Sequence, residues 1–270
     1  MIKTARQKYN YSRINLWLYG CLLVATPFIM LQHYLQGFIR HLTSVSFTFL
    51  NTNLPVVPVL GAAFLISFGV LYRNQITKKQ LVLSFLVILL MYLGLTISDY
   101  YIDYKFYDIQ NNWHYFAYGI FSFIVYSHYK LRSVPMYRIN FYAFLLGAAL
   151  SLFDECFQFF MSQRIFDPSD VAKDLWGVVI GLMILNFGVE KKKINWSTVK
   201  IRKNKLREYF KDPVAGFILL LIFSYCFLFV SSLMTEAKYF FYILLVSILF
   251  FSLIFLIIHL YKMFEPIFTN

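Results

Sequence analysis

Apolar residues in this chain run together rather than alternating with polar ones. Eight stretches, near residues 14–32, 54–72, 80–97, 112–129, 139–161, 172–188, 212–234 and 239–261, are long and apolar enough to cross a bilayer. Crossing takes ~20 residues of helix at ~1.5 Å each. Each is expected to be helical, because a lone spanning segment must satisfy its own backbone hydrogen bonds. Pro27, Pro55 and Pro58 fall in or near the first two stretches, where proline starts or kinks a helix. Between them, in 33–52, Tyr34, Leu35, Phe38, Ile39, Leu42 and Val45 recur at helical spacing. That pattern predicts an amphipathic helix lying on the membrane surface. The last two stretches carry almost nothing polar and look like a pair added to a core.

Charge sits between the runs, and it alternates in sign bias. Lys3, Arg6, Lys8 and Arg13 precede the first stretch, Arg73, Lys78 and Lys79 follow the second, and Lys130, Arg132 and Arg138 follow the fourth. A denser run, from Lys191 to Lys211, follows the sixth. The remaining loops hold few cations: Arg40, Lys105, Arg164, Lys173 and Lys238. The positive-inside rule therefore predicts cytoplasmic termini and places the loops after spans one, three, five and seven outside.

Composition agrees. The 270 residues are 60% hydrophobic and 14% charged, with mean hydropathy +0.62 and 31 Phe, whereas a soluble domain is nearer a quarter charged. The expectation is an all-α polytopic membrane protein of about eight helices. Its net charge of +12 is used in setting orientation, not in binding nucleic acid. The first stretch lacks a small-residue cleavage site and reads as a retained span. The basic loop 190–211 interleaves Ile194, Trp196, Val199, Ile201 and Leu206 with its cations. It is expected either to lie on the anionic inner leaflet or to be a plain orienting charge run. Cys21, Cys156 and Cys226 fall in separate apolar segments without ligand or disulfide spacing and read as fillers. Four parts follow: two N-terminal spans with a surface helix (1–79), a four-helix core (80–190), the basic loop (191–211) and a C-terminal helix pair (212–270).

Against this background "SLFDECFQFFMSQRIFDPSDVAKDLWGVVIG", residues 151–181, stands out, because five of the chain's 13 acidic residues lie in it. Ser151, Glu155 and Gln158 share one face of span five. Asp170, Asp174, Gly177 and Gly181 share one face of span six, where the glycines let another helix come close. The loop between contributes Arg164 and Asp167. His114 opens span four, with Tyr118 one turn on and Asp99, Asp103, Lys105 and Asp108 in the preceding loop. All of these are expected at the outer side. Ionisable groups at bilayer depth are costly, and a site is the default explanation. The structural alternative is a set of buried Arg–carboxylate pairs, with Arg164 against Glu155 or Asp170. Surplus acid could otherwise take a proton, a cationic ligand or a divalent cation such as Mg²⁺, for which Glu155, Asp170 and Asp174 are the candidate ligands.

With these residues in view, the sequence resembles the VanZ-like family of bacterial membrane proteins over roughly 80–190. The resemblance rests on Ser151, Glu155, Gln158, Arg164, Asp170, Asp174, Gly177 and Gly181, with "NWHYFAYG" upstream. Asp174 stands where the family often has Asn, and Gln110 and Asn111 occupy the region where an Asp-Lys often precedes the His. The resemblance implies a cell-envelope setting in the bacterial cytoplasmic membrane and a link to resistance to teicoplanin, a lipoglycopeptide. It implies no reaction.

Three kinds of function stay open. One is an enzyme on an envelope lipid or lipid-linked precursor at the outer leaflet. In it His114 is acid or base, Glu155 and Asp170 orient it or hold a cation, Asp174 is a further catalytic candidate and possible cation ligand, and Gln158, Arg164 and Tyr118 bind substrate. Another is a non-enzymatic scaffold or binding protein with a structural cluster. A third is a Mg²⁺-dependent prenyltransferase-like enzyme, suggested by the spacing of Asp167, Asp170 and Asp174. A transporter is disfavoured, because sites of that kind lie near the midplane and the inner halves of the spans offer little beyond Ser84 and Ser122.

Overall fold

A computed structural model describes residues 2–30, 33–71, 77–98, 109–158, 168–190, 199–201, 213–233 and 264–266. Helices dominate: α1 (Ile2–Met30), α2 (His33–Ser44), α3 (Val56–Leu71), α4 (Lys78–Ser98), α5 (Ile109–Lys130), α6 (Met136–Gln158), α7 (Pro168–Met183) and α8 (Pro213–Leu233). A π-helical turn, Ile184–Val189, continues α7. Four helices are long and apolar enough to cross a membrane: α4, α6, α7 with its π turn, and α8. The helices α1, α3 and α5 occupy the other expected stretches, and the expected span 239–261 lies outside the described residues.

The centre of the bundle is α7. In its span 83% of the residues are buried, against 11% in α4. Its neighbours are α4, α5, α6 and α8, and each is seated by a particular fit. A Cβ added at Gly181 would lie 2.6 Å from the carbonyl oxygen of Gly119, and one at Gly177 would lie 2.9 Å from that of His114. Small residues therefore let α5 and α7 meet backbone to backbone. Gly147 of α6 receives Val178, and Gly94 of α4 receives the indole of Trp176. That indole donates to the Leu90 carbonyl oxygen at 2.7 Å. On α8, Phe217 meets Phe187 edge to face, 5.6 Å between centroids. The helix is thus part of the core: Ala215, Phe217, Leu220, Ile222 and Leu228 are all buried. Outside this ring α1 packs on α5 and α6, and the Tyr19 hydroxyl donates to the Ala117 carbonyl oxygen at 2.9 Å.

Three expectations need correcting. The first helix begins at Ile2 rather than near 14. The surface helix stops at Ser44. Residues 46–55 instead form an antiparallel hairpin, β1 (Ser46–Phe49) with β2 (Thr52–Pro55). The reason is local: "SFTFLNTNLP" changes from helical to two-residue periodicity. Leu50 and Asn51, at φ 48° and 62°, make the left-handed two-residue turn that suits a hairpin. A second short pair joins β3 (Val199–Ile201) of the basic loop to β4 (Phe264–Pro266). The all-α expectation misses both pairs.

Gly181→Ala should lower the melting midpoint of the purified protein in detergent by an overpacking cost of ~1–3 kcal/mol. Gly61→Ala, where an added Cβ meets nothing within 4 Å, should leave the midpoint unchanged. Circular dichroism melts of the two variants check this.

Candidate polar site at the α5–α6–α7 junction

Because α5, α6 and α7 run antiparallel in sequence, the start of α5, the end of α6 and the start of α7 come to one end of the bundle. At that junction Asp174 is buried and uses both carboxylate oxygens. His114 Nδ1 lies 2.8 Å from Oδ1, and the Ser151 hydroxyl donates to Oδ2 at 2.6 Å. One side chain therefore ties three helices together. A carboxylate only accepts, so Nδ1 carries the proton and Nε2 faces the other way. There it looks toward Asp170 Oδ1 across 3.8 Å, with the His114 side chain 26% exposed. Asp170 accepts from Lys173 Nζ at 3.1 Å, and Lys173 is itself buried. Tyr118, one turn along α5 from His114, is buried near Asp174.

The α6 face continues outward from Ser151. Glu155 and Gln158 are both buried, and the Gln158 amide donates to Glu155 Oε1 at 2.9 Å and to Asp154 Oδ2 at 3.3 Å. Asp154 Oδ1 is buried with no hydrogen-bond partner among the described residues. His114, Tyr118, Ser151, Asp170 and Asp174 are therefore brought together, and Glu155 with Gln158 extends the same face. Arg164 and Asp167 lie outside the described residues, as do Asp99, Asp103, Lys105 and Asp108.

Among the described residues no three His, Cys, Asp or Glu side chains are arranged to hold a metal ion. Glu155, Asp170 and Asp174, the candidate ligands, make no such group. Asp174 is engaged by His114 and Ser151, and Asp170 by Lys173.

A family model described as VanZ/LLP1 matches residues 5–189. The chain belongs to the VanZ/LLP1 family. The match reaches beyond 80–190 at its N-terminal side and takes in the first two expected spans. No curated protein and no solved structure matches.

Sequence reasoning passed over several residues in this VanZ-like bundle. Lys173 and Asp154 were visible as charges but not as members of the site. The i, i+3 spacing of Asp170 and Lys173 was the available signal. At the opposite end of the bundle, fully buried Asn140 and Asn186 pair amide to amide, at 3.3 and 3.1 Å. Asn186 also donates to the Leu182 carbonyl oxygen at 2.8 Å, and Asn140 to that of Pro213 at 3.1 Å. Beyond them the Tyr126 hydroxyl and Lys130 Nζ both donate to Glu190 Oε1 at 2.6 Å. The expectation that the inner halves hold little polarity is therefore corrected. A lone Asn in an apolar run gives no hint that a second one faces it.

A double-mutant cycle over Asn140→Ala and Asn186→Ala should give a coupling energy near the ~0.6 kcal/mol average of membrane hydrogen bonds, with ~1.7 as the ceiling. Detergent unfolding of the four proteins measures it. Ser151→Ala, which strips a buried carboxylate oxygen of its donor, should cost ~1–3 kcal/mol in the same assay. Ser151→Thr should retain most of that stability.

Proposed function

We propose that this VanZ-like protein acts at the outer face of the bacterial cytoplasmic membrane, on the polar head of an amphiphilic envelope molecule, with His114 as its acid–base group. The observation that carries the proposal is the bond from His114 Nδ1 to Asp174 at 2.8 Å, in a side chain that is 26% exposed and whose Nε2 lies 3.8 Å from Asp170 Oδ1. A carboxylate behind an imidazole fixes its tautomer and orientation and stabilises the imidazolium that forms when Nε2 takes a proton. Asp170 lies 3.8 Å from that nitrogen and is partly exposed, with its charge balanced by the buried Lys173. It supplies an acceptor for a hydroxylated head. Arg164 and Gln158 are assigned to the same head by their place in the family pattern.

An apolar groove of about 420 Å³ supports an amphiphile over a water-soluble ligand. It is lined by Phe85, Ile88, Leu89, Tyr92 and Leu95 of α4 and ends at Asn112, two residues before His114 on α5. The pairing of β3 with β4 supports a shared side of the membrane for residues 199–201 and 264–266. That is the side the positive-inside rule makes cytoplasmic. The prenyltransferase-like alternative is weaker, because Asp170 and Asp174 are directed to Lys173 and His114 rather than to a shared cation. The structural alternative keeps one specific support: both oxygens of buried Asp174 serve helix-to-helix bonds.

Teicoplanin susceptibility of a host expressing the chain separates these two. Wild type is expected to raise resistance. His114→Gln should return it to the empty-vector level while the amount of protein in the membrane and its melting midpoint stay at wild type. Full resistance with His114→Gln at equal membrane levels overturns the proposal. Loss of resistance only in step with lost protein shows instead that the cluster is a packing device.

A further inference from the structure

The hairpin at 46–55 has two chemically different faces. Directly opposed residues of an antiparallel pair point the same way. The register Phe47↔Leu54 and Phe49↔Thr52 therefore puts two phenylalanines and a leucine on one side, and Thr48↔Asn53 lies on the other. On that polar side the Thr48 hydroxyl donates to Asn53 Oδ1 at 2.8 Å. The apolar side is open toward its tip, where Phe47 is 41% exposed, Phe49 58% and Leu50, at the turn itself, 84%, and half-buried at Leu54, next to α3. A two-residue turn of this hand favours Asn-Gly or Asp-Gly. Here its first residue is a leucine held at φ 48°, an unfavourable choice for a turn that projects into water.

The hairpin is continuous with other apolar surface. Before it, α2 leaves Leu35, Phe38 and Leu42 exposed on one face. After it, α3 contacts α2 and β2 and exposes Leu60, Phe64, Ile66 and Val70. No Asp, Glu, Lys or Arg occurs between Arg40 and Arg73. The 16 described residues of α3 account for ~24 Å at ~1.5 Å each. The hairpin adds apolar surface directly at the N-terminal end of this apolar helix. The unpaired strand edges keep such an extension out of the hydrocarbon itself, where nothing would satisfy them. The headgroup boundary offers both water and apolar depth.

We infer that the β1–β2 hairpin is a membrane-inserting tip: its Phe47–Phe49–Leu50 side is seated in the lipid headgroup boundary, with α2 lying beside it, and its Thr48–Asn53 side faces water. The partner is the bilayer surface. This concerns a different part of the chain from the His114 site and does not depend on that site's function.

The test uses the full chain with Cys21, Cys156 and Cys226 replaced by Ser, reconstituted in phosphatidylcholine–phosphatidylglycerol vesicles. A single cysteine is placed at Leu50 or at Asn53 and labelled with an environment-sensitive fluorophore. At Leu50 the label should emit at shorter wavelength, lose most of its intensity to nitroxide-bearing lipid and be spared by aqueous iodide. At Asn53 the order should reverse. Iodide quenching at Leu50 without nitroxide quenching overturns the inference. So does protection from both quenchers, which would mean that protein covers the tip. Phe49→Asp with Leu50→Asp, which should shift a Phe47→Cys label toward iodide, guards against a label that seeks lipid by itself.

Discussion

A helix covered by protein around its whole circumference has no lipid-facing side. That constraint on α7 governs the rest of the fold. A polar group it carries finds its partner within the helix, as Asp170 does in Lys173, or on a neighbouring helix that comes close enough to provide one. Glycines at 177 and 181 bring in α5, Gly147 admits Val178 from the α6 side, and Gly94 makes room for Trp176 against α4. The polar partners then follow from proximity: His114 and Ser151 for Asp174 at one end, Asn140 for Asn186 at the other.

The two ends are built differently. Around Asp174 the partners are a serine hydroxyl and an ionisable imidazole, and His114 keeps part of its side chain at the surface. Around Asn186 they are neutral amides sealed from any solvent. Neutral reciprocal pairs suit a permanent joint, since they satisfy donor and acceptor with no charge to desolvate. An acid and an imidazole at the edge of the bundle suit a place where protons come and go.

Much of this was legible in the sequence, and the reasons differ by feature. Helical segments show because apolar length is a direct consequence of bilayer thickness. The convergence of His114, Asp170 and Asp174 showed because antiparallel helices with short connections fix which ends meet. The hairpin hid inside a stretch whose apolar spacing at Phe38 and Leu42 runs on into Phe47 and Phe49. Two-residue alternation over so few positions competes poorly with a helical pattern that precedes it. The Asn140–Asn186 pair hid for another reason: it depends on three-dimensional register between helices 46 positions apart. No local window contains that register. Lys173 reads as a loop cation in the sequence, because its buried place beside Asp170 is set by the helix face and not by the side of the membrane.

The π turn at Ile184–Val189 also sets the phase of α7. Such a turn amounts to one residue inserted into an α-helix without a break, so residues beyond it are rotated by ~100° from where a plain helix would leave them. Glu190 follows directly, and its backbone N–H reaches back to the Leu185 carbonyl oxygen. Tyr126 and Lys130 of α5 meet Glu190 on that shifted azimuth. The two ends of α7 thus keep separate angular references, so that the face presented to α5 at Asp174 and the one presented at Glu190 can be aligned independently along a single unbroken rod.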